Sequence, residues 1–131
     1  MHTLNMGLKK YIEEYILPQY ENNDKGHGPS HIEYVTERCF KFASQFSNIN
    51  ADMLYAIASF HDIAHHIDKA RHEILSAEIF YKDEEMKHFF TDDERLIIKQ
   101  AIEDHRASAE NEPRSDYGKI ISSADRSTDV D

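Results

Sequence analysis

The chain has 131 residues and a formal net charge of −10, with 40% hydrophobic residues, one cysteine and nine histidines. Its length predicts a single domain, residues 1–131, and its moderate glycine and proline content excludes a disordered or collagen-like chain. The acidic balance argues against bulk nucleic-acid binding, and no apolar run approaches the roughly 20 residues that span a membrane. The lone Cys39 excludes a disulfide framework and favours a reducing compartment, so we expect a cytoplasmic protein.

The hydrophobic pattern predicts an all-α fold of about six helices. The first helix covers residues 4–17 and is expected to stop at Pro18, and residues 21–29 have the composition of a loop. The second helix is predicted to begin at Ser30, which can form a capping box with the glutamate three residues later, and to run to about Phe46.

The third helix, residues 51–66, is apolar nearly all round and is therefore expected to be the buried central helix. A fourth helix is predicted to start near His72. A fifth, capped by Thr91 or Asp92, ends near His105.

Residues 107–115 are polar and indicate a loop. The last helix begins near Asp116 and carries Asp125, which is six residues before the end of the sequence. Helix ends fray, whereas a side chain that binds a metal gains precision from rigid elements around it. We therefore expect the natural chain to continue past Asp131.

His61 and Asp62 lie in the most apolar part of the predicted central helix. A buried carboxylate is costly unless it is paired or bound to a cation. Two explanations remain open at this level: a buried hydrogen-bonded His–Asp pair, or a divalent cation that both side chains bind.

Further candidate ligands lie on four other predicted helices, each near a helix end or an apolar seam: His31, His72, His105 and Asp125. Imidazole and carboxylate ligands without thiolates suit iron, manganese, nickel, cobalt, zinc or magnesium. Each histidine alone can equally be an ordinary helix-end or surface residue.

The order of these residues, H…HD…D at His31, His61, Asp62 and Asp125, resembles the HD-domain superfamily of metal-dependent phosphohydrolases. Their neighbours are similar too: DKGHGPSHI at 24–32, FHDIA at 60–64 and SADR at 123–126. The resemblance extends from about residue 20 to 131. It implies a compact helical HD-domain fold in which those four residues hold a divalent metal ion.

His72 and His105 extend the pattern to H…HD…H…H…D, which is similar to the diadenosine tetraphosphate hydrolases of the superfamily. This similarity implies a second metal ion, although His72 can also cap its helix and His105 can interact with a helix dipole. Several branches place a lysine three residues after the HD aspartate to face the substrate phosphate. Here that position is His65.

The resemblance implies hydrolysis of a phosphate ester or anhydride, of a nucleotide or dinucleotide, by water activated at one or two divalent ions. On this hypothesis Asp62 and His65 are catalytic residues, although His65 can equally be a helix-end histidine near solvent. His66, Arg106 and Arg126 are candidate contacts to a small phosphate substrate, and each arginine can instead form a surface salt bridge. Two other hypotheses stay open: a non-catalytic regulatory module that binds metal or nucleotide, and a plain helical interaction domain. No membrane partner is expected, and the sequence leaves the oligomeric state open.

Overall fold

The structure is a computed structural model that describes residues 3–106 and 112–127. Those residues form six α-helices and no strand, so the predicted all-α fold of about six helices is confirmed. The helices are α1 (Met6–Tyr11), α2 (Pro29–Ala43), α3 (Ala51–Phe60), α4 (His72–Lys82), α5 (Asp92–Glu103) and α6 (Asp116–Ser127). None of the helices in this described part is both long and apolar enough to cross a membrane.

Helix α3 is the centre of the molecule, as its apolar sequence predicts. Every residue from Met53 to Phe60 is buried, and α3 contacts α2, α4, α5 and α6. Around it, α2 packs against α6 and α4 packs against α5. Because each large apolar side chain contributes about 1.5–3 kcal/mol when fully buried, this central helix anchors the segments that surround it.

The prediction that α3 continues to residue 66 is wrong at its C-terminal end. The α-helix ends at Phe60, and residues 61–67 form successive tight turns. In these turns the Ile63 N–H bonds to the Phe60 carbonyl at 3.1 Å, and the His65 N–H bonds to the Asp62 carbonyl at 3.0 Å. The HD pair therefore lies immediately after the central helix and not inside it.

The N-terminal segment is helical for longer than predicted. Helix α1 is followed by a π-helical turn, Ile12–Ile16, and then by a 3₁₀-helix, Leu17–Asn22. Pro18 does not stop the helical path because it lies in the first turn of the 3₁₀-helix, where a missing N–H costs little. The expected loop also contains a 3₁₀-turn, Lys25–His27.

The start of α2 differs from the predicted capping box. Gly28 is the N-cap and Pro29 is the first helical residue, with no side-chain hydrogen bond at the cap. Proline has a backbone φ suited to the first helical position, so the helix begins before Ser30. The helix also ends earlier than expected, at Ala43, and Phe46 lies in a following turn.

The later helices begin where the sequence predicts. Thr91 is the N-cap of α5, since its Oγ1 accepts the Glu94 N–H at 3.1 Å in a complete capping box. Helix α5 ends at Glu103, and His105 lies in the 3₁₀-turn Asp104–Arg106 that follows. Of the predicted loop 107–115, residues 107–111 lie outside the described part of the chain.

Candidate metal centre

The fold brings all six predicted ligands to one place. Their side chains form two groups that share Asp62, and within each group the ligand atoms lie within 4.8 Å of one another. The first group is His31, His61, Asp62 and Asp125, and the second is Asp62, His72 and His105. Five separate chain segments supply these side chains, so the site exists only in the folded protein.

In the first group, His31 from α2 faces both carboxylates. Its Nε2 lies 3.1 Å from Oδ2 of Asp62 and 3.2 Å from Oδ1 of Asp125. Nε2 of His61 lies 3.5 Å and 3.4 Å from the same two oxygens. Ligands bonded to one ion at about 2.1 Å are about 3.0–3.4 Å apart. Three of these four separations lie in that range and the fourth exceeds it by 0.1 Å, so they are close to the spacing around a shared cation.

In the second group, the other carboxylate oxygen of Asp62, Oδ1, faces the two histidine rings. Nε2 of His72 lies 3.0 Å from Oδ1 of Asp62, and Nε2 of His105 lies 3.4 Å from it. The two Nε2 atoms are 3.1 Å apart. Asp62 therefore offers one carboxylate oxygen to each group, as a carboxylate that bridges two ions does.

Backbone carbonyls determine which nitrogen each of three histidines presents. Nδ1 of His61, His72 and His105 faces the carbonyl oxygen of the residue three positions earlier, at 2.7, 3.0 and 2.7 Å. A carbonyl only accepts hydrogen bonds, so Nδ1 carries the proton and Nε2 has a free lone pair in the neutral ring. Hydrogen bonds of this kind orient histidine ligands in metal sites.

Two features of this cluster fit a cation. Asp62 is 1% exposed, yet neither of its carboxylate oxygens receives a hydrogen bond from the described residues. In addition, Nε2 of His72 and Nε2 of His105 face each other, which places two lone pairs in contact unless a proton or a cation lies at this point. Divalent ions would satisfy both the orphaned oxygens and the facing lone pairs.

Burial and the neighbouring charges act in opposite directions on the pKa values of these carboxylates and rings. Burial disfavours the charged form of Asp62, but the neighbouring rings, first that of His61, hold the pKa of its carboxyl well below the ordinary value. Burial likewise opposes the effect of His31 and His61 on Asp125, whose pKa is nonetheless lowered. Against burial, the carboxylates of Asp125 and Asp62 raise the pKa of His31 to about 9.

A pocket of about 470 Å³ opens directly onto the two groups. Among the described residues, three cationic side chains line it: Lys69, which was not predicted, and the predicted substrate contacts Arg106 and Arg126. Nη1 of Arg106 donates to the Ala70 carbonyl at 2.9 Å and lies 3.2 Å from Oε1 of Glu73. These cationic groups and the carboxylates of Asp62 and Asp125 therefore line the same pocket.

His65 lies on the wall of the same pocket and is 7% exposed. Its ring stacks on that of His27, with centroids 3.6 Å apart and planes at 15°, and Nδ1 of His27 lies 2.8 Å from Oδ1 of Asp24. These three residues form a third group of potential ligands. Nearly parallel rings direct their lone pairs along parallel planes, so the two nitrogens do not converge on one ion.

His66, the remaining predicted substrate contact, is not among the residues that line the pocket. Its backbone N–H and its Nδ1 both lie 2.9 Å from Oδ1 of Asn23. Sequence reasoning missed Asn23 and also Tyr20, whose Oη contacts the backbone on either side of His61. Neither residue belongs to a periodic pattern or a known motif, so only their position in the fold shows their importance.

A family model and a solved structure are similar to this chain. Residues 30–128 match the sequence model of the HD domain. A crystal structure described as a predicted HD superfamily hydrolase, from an uncultured Thermotogales bacterium, superposes with a TM-score of 0.73. The two sequences are 23% identical, and the alignment covers 96% of this chain and 70% of the other. No curated protein matches the sequence. The match over most of the chain shows that this protein belongs to the HD domain family.

Proposed function

We propose that this protein is a metal-dependent phosphohydrolase that cleaves a phosphate ester or anhydride bond in a small molecule of the nucleotide or dinucleotide class. The proposal rests on one observation: the two carboxylate oxygens of Asp62 face different ligand groups. Oδ2 lies 3.1 Å from Nε2 of His31, and Oδ1 lies 3.0 Å from Nε2 of His72. A bridging carboxylate of this kind is suited to a two-metal site, in which both the attacking and the leaving oxygen are stabilised. The buried, reduced Cys39 is compatible with the cytoplasmic location that we propose.

The ligand set favours a transition metal at both positions. His31, His61 and Asp125 would hold the first ion, His72 and His105 the second, and Asp62 both. Imidazole nitrogens suit iron, manganese, cobalt, nickel or zinc, whereas magnesium prefers oxygen ligands and retains several waters. Magnesium is therefore the weakest of the candidate ions for the second group, in which imidazoles supply two of the three ligands.

When bound, divalent ions polarise a phosphoryl oxygen and lower the pKa of a water molecule toward neutrality. The protein's own contribution is to orient the phosphate. Lys69, Arg106 and Arg126 line the pocket and can donate to phosphoryl oxygens, for which arginine has a matching planar geometry. Local positive charge from these residues and from the ions opposes the long-range repulsion that a net charge of −10 exerts on anionic substrates.

His65 is placed to act on the substrate and not on the metal. It lines the pocket, and burial, together with His27 and His72, lowers its pKa. A neutral imidazole at this position can donate one N–H to a phosphoryl oxygen of the substrate. The lysine found here in other branches of the superfamily would make the same contact as a permanent cation.

Metal analysis and a substrate screen together test the proposal. The purified protein is expected to contain close to two equivalents of transition metal, and to release phosphate from some members of a panel of mono-, di- and dinucleotide phosphates. Asp62→Asn, which keeps the side-chain volume, serves as the inactive control. Bound metal without hydrolysis of any compound would favour a regulatory module, and absence of metal binding would contradict both functions.

A further inference from the structure

We propose that Tyr20 and Asn23 are positioning residues that hold Asp62 and His61 in the geometry needed to bind metal. The proposal rests on the proposed function, because it concerns the same metal centre. Tyr20 lies within the 3₁₀-helix Leu17–Asn22, and Asn23 follows that helix. Both residues precede residues 30–128, the part that matches the HD domain.

Tyr20 joins the end of the central helix to the HD turn. Its side chain is fully buried, and its Oη donates to the Ser59 carbonyl at 2.6 Å and accepts the Asp62 N–H at 3.2 Å. One hydroxyl therefore bonds the backbone on both sides of His61. A buried hydroxyl that makes two such hydrogen bonds fixes the path of the chain between its two partners.

Asn23 secures the other side of the same turn. Its Nδ2 donates to the Asp62 carbonyl and to the His27 carbonyl, each at 2.9 Å. Its Oδ1 accepts the His66 N–H at 2.9 Å. Tyr20 and Asn23 together bind both the N–H and the carbonyl of Asp62, so the residue that bridges the two ligand groups is held by its backbone from the N-terminal segment.

This arrangement explains how His61 obtains its orientation. In a continued α-helix, the Asp62 N–H would bond to the Ala58 carbonyl, four residues earlier. Here the Ala58 carbonyl instead accepts the Nδ1–H of His61 at 2.7 Å, while the Asp62 N–H bonds to Tyr20. By binding the Asp62 N–H, Tyr20 holds the chain in the turn in which the Ala58 carbonyl accepts the Nδ1–H of His61 and Nε2 of His61 faces the first ligand group.

Tyr20→Phe removes the hydroxyl and leaves the ring in place. We expect metal affinity, measured by competition with a chromophoric chelator, to fall about 10–100-fold, the range typical of residues that orient metal ligands. Tyr11→Phe is the matched control. Oη of Tyr11 donates to Oδ2 of Asp83 at 2.8 Å, so this variant also loses one tertiary hydrogen bond of the N-terminal segment, but away from the ligands.

Asn23→Asp provides a second, nearly isosteric variant that keeps an acceptor for His66 and loses the donor to the Asp62 carbonyl. It is expected to weaken metal binding as Tyr20→Phe does. If Tyr20→Phe does not fold, Asn23→Asp tests whether the N-terminal segment positions Asp62. Metal affinity equal to that of the parent in a folded variant, with a melting temperature lowered only as far as in Tyr11→Phe, would overturn the proposal and leave Tyr20 a purely structural residue.

A measurement on the metal-free protein separates this proposal from the proposed function. In ¹⁵N-labelled protein treated with a chelator, the Nδ1–H resonance of His61 is expected to shift and to exchange faster with water in Tyr20→Phe than in the parent or in Tyr11→Phe. An unchanged resonance would contradict the positioning role. If the parent binds no metal, the proposed function fails, and this resonance still decides whether Tyr20 orients His61.

Discussion

Nε2 of His72 lies 3.0 Å from Oδ1 of Asp62, the carboxylate oxygen that the first ligand group leaves unused. This pair links the first residue of α4 to the turn that follows α3. Because Oδ2 faces His31 at 3.1 Å, the two oxygens of one buried carboxylate are assigned to different sides of the cluster. Asp62 is thus the residue on which both potential ions depend.

The number of metal ions bound by variants is expected to depend on which ligand group loses a side chain. His72→Ala should retain one of two bound equivalents, since it removes a ligand from the second group only, whereas Asp62→Ala should lose both. Inductively coupled plasma mass spectrometry of the purified variants gives the counts directly. His88→Ala, at an exposed position outside both groups, is the control. Two equivalents retained in Asp62→Ala would show that the ligand assignment is wrong.

Metal affinity should increase with pH between 6 and 9. Despite burial, Asp125 and Asp62 raise the pKa of His31 to about 9 in the metal-free protein, so a metal ion must displace a proton from this ring. Affinity is expected to rise by up to about tenfold per pH unit for each proton released. Isothermal titration in buffers with different ionisation enthalpies measures the proton release, and an affinity independent of pH would contradict the prediction.

The raised pKa of His31 also predicts how pH affects the stability of the metal-free protein. The folded state binds the His31 proton more tightly than the unfolded state, in which a histidine has a pKa of about 6.5. The resulting stabilisation is complete below that value and is lost as the pH rises through about 9. The melting temperature of chelator-treated protein should therefore fall from pH 7 to 9, and His31→Ala should reduce this fall.

His65 is expected to affect catalysis without affecting metal content. His65→Ala should lower kcat/KM by about 10²-fold, a typical loss when a group that transfers a proton or contacts the reacting phosphate is removed. His65→Lys should recover part of the activity, since an ammonium can also donate to a phosphoryl oxygen. Steady-state kinetics on protein of known metal content tests both variants, and a loss of metal from His65→Ala would instead indicate a ligand role.

The docking of α6, which carries Asp125, should be sensitive to Gly118. A Cβ at this position would lie 2.9 Å from Cβ of Pro113, closer than the rigid proline ring permits. The gain in helix propensity from Gly118→Ala is about 1 kcal/mol, and overpacking costs about 1–3 kcal/mol. We expect a net loss of about 1 kcal/mol in the free energy of unfolding, measured by urea denaturation.

Gly26→Ala is the control for that substitution, because in the described part of the chain the added Cβ would meet only Oδ1 of Asp24 beyond its chain neighbours, at 3.6 Å, an ordinary van der Waals contact. It should leave the urea midpoint of unfolding within error of the parent. A stabilised Gly118→Ala variant would mean that Pro113 moves away without cost, and that α6 tolerates a shift in its position.

Local sequence patterns were sufficient to predict most of the helices and the identity of the ligand candidates. The apolar spacing that marks α3 as buried depends on nearest neighbours along the helix, and the Thr91 capping box depends on residues only three apart. The ordered HD pattern likewise named the six side chains that the fold brings together. The helix features follow from short-range geometry, which the sequence shows directly, whereas the set of six side chains rests on the resemblance to the HD-domain superfamily.

The remaining features depend on contacts between residues far apart in the chain. The end of α3 at Phe60 was not predictable, because the hydrogen bonds that hold the next turn come from residues about forty positions earlier, 42 for Tyr20 and 39 for Asn23. The start of α2 is a different case, because there one local signal overrides another: Pro29 takes the first helical position in place of a cap at Ser30.

The sequence by itself determined that this is an all-α protein with a central apolar helix and a set of histidines and aspartates in the HD order that are candidate metal ligands. Only the tertiary structure decided that Asp62 presents its two oxygens to separate groups, and that Nε2 is the nitrogen that His61, His72 and His105 present. The physical reason is that ring orientation and carboxylate sharing are set by hydrogen bonds to backbone groups, and the positions of those groups exist only once the chain has folded.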